Sequence, residues 1–122
     1  MKIGLDLDGT ITAAPEFFRI VAEALLQAGH EVHVITWRRP EFLKRTQRTL
    51  DELGMRYSAL HVPEIADTLK PVELWKARVV VELGIELMID DSADVLGNLP
   101  TTVKRMWMCG QPGERFHAPR ER

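Results

Sequence analysis

Apolar positions along this chain come in blocks whose period changes, and the changes mark the elements. Residues 2–8 open with Ile3-Gly4-Leu5 and Leu7 and predict a buried strand, followed by a short turn over 9–14. Pro15 suits the first position of a helix. Phe18, Val21, Leu25 and Ala28 then recur at helical spacing with Phe17 and Ala24 alongside, and Gly29 fits a helix stop. The short β-branched run Glu31–Thr36 predicts a second strand. After Trp37-Arg38-Arg39-Pro40 an amphipathic helix sets Leu43, Thr46, Leu50 and Leu53 on one face. Lys44, Arg45, Arg48, Asp51 and Glu52 lie mostly on the other, and Gly54 ends it. Residues 56–62 predict a third strand, and 63–70 a loop bounded by Pro63 and Pro71. A third helix over 72–83 turns Trp75, Val79 and Leu83 inward and stops at Gly84. A fourth strand over 85–90, a helical turn over 93–99 and a fifth strand over 102–108 complete the pattern. The tail from Gly110 has little periodicity and is expected to be partly mobile.

Strands that alternate with helices through short connections predict an α/β fold. It is a three-layer sandwich with a central parallel sheet of about five strands and helices on both faces. No repeat and no long linker interrupts the chain, so residues 1–122 are expected to form one domain.

Composition narrows the function classes. Hydrophobic content of 45% and charged content of 28% are ordinary for a globular protein. A net charge of −2 argues against a protein held to nucleic acid mainly by charge. Cys109 is the only cysteine, which excludes an intrachain disulfide and disfavours a cysteine zinc site. No leader segment and no apolar run of membrane-spanning length is visible, so a cytoplasmic, membrane-free protein is expected.

Ligands of open α/β sheets bind beyond the carboxyl ends of the strands. The first strand delivers Asp6 and Asp8, whose alternate spacing sets them on one side, before Gly9 turns the chain. The second delivers Thr36, the fourth Asp90 and Asp91, and the approach to the fourth carries Lys70 and Lys76. Close acids in a half-buried place call for a cation or a shared proton. Magnesium would accept several oxygen ligands there, and a phosphate would need the hydroxyl, backbone N–H groups and a lysine.

Asp6-Leu7-Asp8-Gly9-Thr10 resembles the first motif of the haloacid dehalogenase superfamily, Asp-x-Asp-Gly-Thr. Thr36 after Val34-Ile35 resembles its second motif, and Asp90-Asp91 after Met88-Ile89 its fourth, so the likeness covers nearly the whole chain. It implies a magnesium-dependent phosphatase that works through an aspartyl-phosphate. Asp6 would be the nucleophile and Asp8 the general acid and base. Magnesium would be held by the Asp6 carboxylate, the Asp8 backbone carbonyl and Asp90, with Asp91 a further candidate. Thr36 and the Trp37 N–H would hold phosphate oxygens, with Gly9, Thr10 and Arg38 also at the substrate. The family's lysine corresponds to Lys76, or alternatively to Lys70 at the helix start. Caps in this superfamily enter after the first motif or between the third strand and the lysine. Residues 11–14 and 63–70 leave no room for either, so the chain resembles a capless member. An open site admits phosphorylated small molecules or exposed phosphates on macromolecules, polynucleotide ends among them, unless a second subunit closes it.

Blander roles weigh against several of these residues. Arg38, Arg39, Lys44, Arg45 and Arg48 form a basic cluster that suits a solvated helix face better than an anion contact. Trp37 and Trp75 suit partly buried packing, Asp94 the helix surface, and His30, His33, His61 and His117 structural or surface positions. Two other function classes remain on the sequence alone. One is a non-catalytic phosphate- or protein-binding module with the same fold. The other is a phospho-acceptor signalling domain, although its acceptor normally ends a later strand than the first.

Overall fold

The computed structural model describes residues 1–110; the mobile tail expected from the sequence lies beyond Gly110, outside the described residues. Five strands form one sheet in the order β3-β2-β1-β4-β5. They are β1 (Lys2–Leu5), β2 (Glu31–Ile35), β3 (Ala59–His61), β4 (Leu87–Asp90) and β5 (Lys104–Trp107). Every pairing is parallel; Ile3 stands beside Val32 on one side and Leu87 on the other. Chain order runs outward from β1 to β3, then jumps to β4 on the opposite side of β1. That reversal makes the carboxyl edge between β1 and β4 the topological switch point, the place where such sheets bind ligands.

Helices cover both faces. On one, Phe18 and Ala22 of α1 (Pro15–Gln27) and Leu50 of α2 (Leu43–Glu52) pack on Ile3, Leu5, Val32 and Val34. On the other, Trp75 and Val80 of α3 (Val72–Leu83) and Leu96 of α4 (Ala93–Gly97) pack on Ile35 and Met88. This is the three-layer α/β sandwich that the alternation of periods predicts. A buried parallel sheet favours apolar side chains on both faces, and β1 and β2 have them. No helix among the described residues is long and apolar enough to cross a membrane.

Several boundaries differ from the sequence pattern. The first strand ends at Leu5 rather than Asp8. Asp6 and Asp8 keep extended backbone angles, but past Asp6 the chain leaves the ladder and coils tightly over Leu7–Ile11. The third strand shrinks to Ala59–His61, and just before it the Ser58 hydroxyl accepts from the Val32 N–H. The expected loop over 63–70 holds a single turn of tight helix, Ile65–Leu69. On α1 the buried face is Phe18 and Ala22, with Leu25 and Leu26 at its margin; Phe17 and Ala24, expected beside it, are exposed. Leu43 also lies at the surface, since α2 touches the sheet only from Thr46 onward.

Only Thr12–Ala14 separate the tight loop from α1, and only Val62–Pro71 separate β3 from α3.

Candidate active site

The central strand fixes the first acid. The Asp6 N–H donates to Ile89 O at 3.0 Å, which ties the residue after β1 to the end of β4. Asp6 is buried, and so is Asp90 at the end of β4. Between them stands Lys76, projected from α3 and only 3% exposed. Its ammonium donates to Asp6 Oδ1 at 2.7 Å and to Asp90 Oδ2 at 2.8 Å. The remaining oxygens are also occupied. Thr10 Oγ1 donates to Asp6 Oδ2 at 3.3 Å, and the Ser92 N–H to Asp90 Oδ1 at 2.9 Å.

Asp6, Asp90 and the half-buried Asp91 each offer one oxygen, and these oxygens lie within 4.8 Å of one another. Three acids face one ammonium, so negative charge stays uncompensated in a poorly solvated place. Its signature is on Asp6: burial pushes the carboxyl up to about 7, and Asp90 adds to that rise while Lys76 opposes it. Burial alone would depress Lys76, but the carboxylates of Asp6 and Asp90 outweigh it and hold the ammonium above its ordinary value. A cluster of hard oxygen donors with surplus charge suits a divalent cation such as magnesium. These acids could hold such an ion.

Gly9 makes the turn beside this cluster at φ 83°, a conformation that resists side chains. A Cβ there would overlap the Asp91 carboxylate, so the backbone of the tight loop runs close against that acid.

Thr36 follows β2, one strand over from Asp6, and is 1% exposed. Its N–H donates to His61 O at 3.0 Å, but Oγ1 is buried with no hydrogen-bond partner among the described residues. Buried hydroxyls are nearly always paired, and an orphan at a ligand edge is the kind of group a bound oxyanion satisfies.

The other residues singled out by the sequence scatter differently. The Asp8 carboxylate is exposed and turned to Arg38, whose Nε and Nη2 donate to its two oxygens at 2.9 and 2.8 Å. Lys70 sits on the surface, 3.9 Å from Asp67, away from the Asp6–Asp90 pair. Trp37 and Trp75 pack in a tilted contact at 5.4 Å, with Trp75 in the core. His33 and His61 stack with their rings joined at 2.9 Å and Glu31 on the far nitrogen. The Arg38–Asp8 pair is what the sequence did not signal. Thirty positions separate the two, and a basic cluster gives no hint of which member reaches an acid.

Known structures share the fold. A chain from the structure of the Pnkp1/Rnl/Hen1 RNA repair complex superposes with a TM-score of 0.73 at 17% identity, over 87% of this chain and 42% of its own length. A chain from a second structure of the Pnkp1/Rnl/Hen1 complex gives 0.72 at 18% identity, over 87% and 45%. At such identities the likeness establishes the α/β architecture, and this chain spans less than half the length of either neighbour. No protein-family model and no curated protein matches the chain.

Proposed function

We propose that this chain is a capless phosphatase of the haloacid dehalogenase type, hydrolysing a phosphomonoester through an aspartyl-phosphate. The observation that carries this reading is the Asp6–Lys76–Asp90 bridge at the switch point between β1 and β4, with the Thr36 hydroxyl, unpartnered among the described residues, one strand away.

In this reading one Asp6 oxygen attacks phosphorus while the bond to the leaving alkoxide breaks. Asp8 gives that alkoxide its proton. Asp8 then takes a proton from water, whose oxygen attacks phosphorus and breaks the bond to Asp6, releasing inorganic phosphate. Lys76 holds the nucleophile in place and offsets charge on the transferring group. Thr36 and the Trp37 N–H accommodate its oxygens. Magnesium held by Asp6, Asp90 and Asp91, with the Asp8 carbonyl, would supply the Lewis acidity that phosphoryl transfer exploits. The relatives by fold come from an RNA repair complex, which puts polynucleotide phosphates among the substrates to try.

The experiment is release of phosphate from p-nitrophenyl phosphate with and without magnesium. The wild type is expected to turn over only with the metal, and Asp6→Asn to abolish turnover while remaining folded. Full activity in Asp6→Asn would remove Asp6 as nucleophile.

A further inference from the structure

The proposed acid and base is engaged. Arg38 grips both oxygens of Asp8, and its Nη1 donates to Thr49 Oγ1 at 3.2 Å, so its guanidinium spans from the tight loop to α2. With both oxygens of Asp8 taken by the fork, neither is free to meet a leaving group, and turnover requires Arg38 to move.

The same guanidinium is one wall of a cleft of about 400 Å³, lined by Arg38, Arg39, Phe42, Arg45, Thr46 and Thr49. Its charge is only partly balanced: Arg38 is paired with Asp8. Arg39 pairs with Glu41, two positions on. Arg45 lies over the Phe42 ring at 5.0 Å and meets no carboxylate among the described residues. Lys44 and Arg48 likewise enter no ion pair among the described residues, and Glu41 is the only acid between residues 38 and 48. The Thr46 and Thr49 hydroxyls are committed to the carbonyls of Phe42 and Arg45, which fixes this wall of α2. Guanidinium forks converging on a cleft suit phosphate better than a single carboxylate, because each presents paired donors to tetrahedral oxygens.

Resting on the phosphatase reading above, we infer that this cleft takes a second phosphate of the substrate, and that this phosphate draws Arg38 off Asp8. Substrates with a phosphate near the one cleaved, such as a nucleoside bisphosphate or a phosphorylated oligonucleotide end, free the proton donor as they bind. A substrate with one phosphate leaves Asp8 held for more of the time and turns over more slowly.

The test is calorimetric binding to the full chain without magnesium. The probes are adenosine 3′,5′-bisphosphate, adenosine 3′-phosphate and adenosine 5′-phosphate at low salt. The bisphosphate is expected to bind about tenfold tighter than either monophosphate, the worth of one net charge-assisted contact. Arg45→Ala, at an exposed position, is expected to bring the affinities to within about threefold, and Arg38→Ala to do the same. Arg56→Ala, at a distant surface cation paired with Glu23, is expected to keep the tenfold preference. Equal affinities in the wild type overturn the subsite, as does a loss in Arg56→Ala matching that in Arg45→Ala. With magnesium, the kcat advantage of the bisphosphate is expected to disappear in Arg38→Ala; an unchanged advantage overturns the release of Asp8. A preference in binding without any turnover overturns the phosphatase reading and leaves the subsite. Turnover with equal affinities does the reverse.

Discussion

Lys76 Nζ lies 2.7 Å from Asp6 Oδ1, joining residues 70 positions apart inside the protein. The same nitrogen serves Asp90, so one ammonium bridges the ends of two neighbouring strands. The lysine is therefore structural before it is chemical. Two buried acids without it would lose their only cation among the described residues.

Lys76→Met keeps the apolar stem and removes the charge. Breaking a buried pair in this way costs about 3–5 kcal/mol. The loss is expected to be larger at pH 8 than at pH 5, because Asp6, raised to about 7, takes up a proton in place of the lysine at the lower pH. Urea denaturation at the two pH values measures it. An equal, small loss at both would place the ammonium outside the charge balance of the site.

That lysine shows what the sequence made legible. Asp6, Thr36 and Asp90 end strands whose apolar runs are unambiguous, and parallel topology brings such ends to one edge whatever the details of packing. Lys76 and Lys70 differed by less, since only helix phase decides which enters the core; α3 turns position 76 inward beside Trp75. The Arg38–Asp8 pair was not legible, because it depends on how two irregular loops approach, and no periodicity governs that. Nor was the exposure of Phe17, since α1 buries a narrower stripe than its apolar content suggests.

Metal and pH are expected to be coupled at Asp6. Its carboxyl rises from the ordinary 3.8 to about 7 in the folded chain. Between those values the native state holds a proton that the unfolded chain has released. Stability of the metal-free protein is thus expected to fall as pH rises through this window, with the loss complete above about 7. The raised Lys76 acts only above its ordinary 10.5, outside the window. Magnesium that replaces the proton is expected to raise the melting temperature more at pH 8 than at pH 5. Thermal melts with magnesium or with chelator check this. A magnesium response equal at both pH values would separate the metal from Asp6.

Gly9 is the point where backbone and cluster meet. Gly9→Ala meets a strained φ of 83° and crowds Asp91. The strain costs about 1–2 kcal/mol. A larger effect is expected on the metal, because the methyl displaces one of the three acids. Titration of the magnesium-induced stabilisation should show weaker binding than in the wild type. A variant that loses stability yet keeps its magnesium response would mean that Asp91 stands outside the metal shell.

Thr36 separates stability from function in a single position. Its hydroxyl is buried without a partner among the described residues, which costs about 1–3 kcal/mol relative to a paired group. Thr36→Val keeps the β-branched shape and discards the orphan oxygen. The free protein is expected to gain stability, because β2 loses no hydrogen bond made by that side chain. Binding of inorganic phosphate is expected to weaken by about tenfold if the hydroxyl faces an oxyanion. Thr36→Ser, which restores the oxygen in a smaller residue, should recover binding while losing some packing. Denaturation midpoints and phosphate calorimetry on the three proteins decide the matter. If valine lowers stability and leaves phosphate affinity unchanged, the hydroxyl serves the core, and the phosphate is held by backbone and lysine alone.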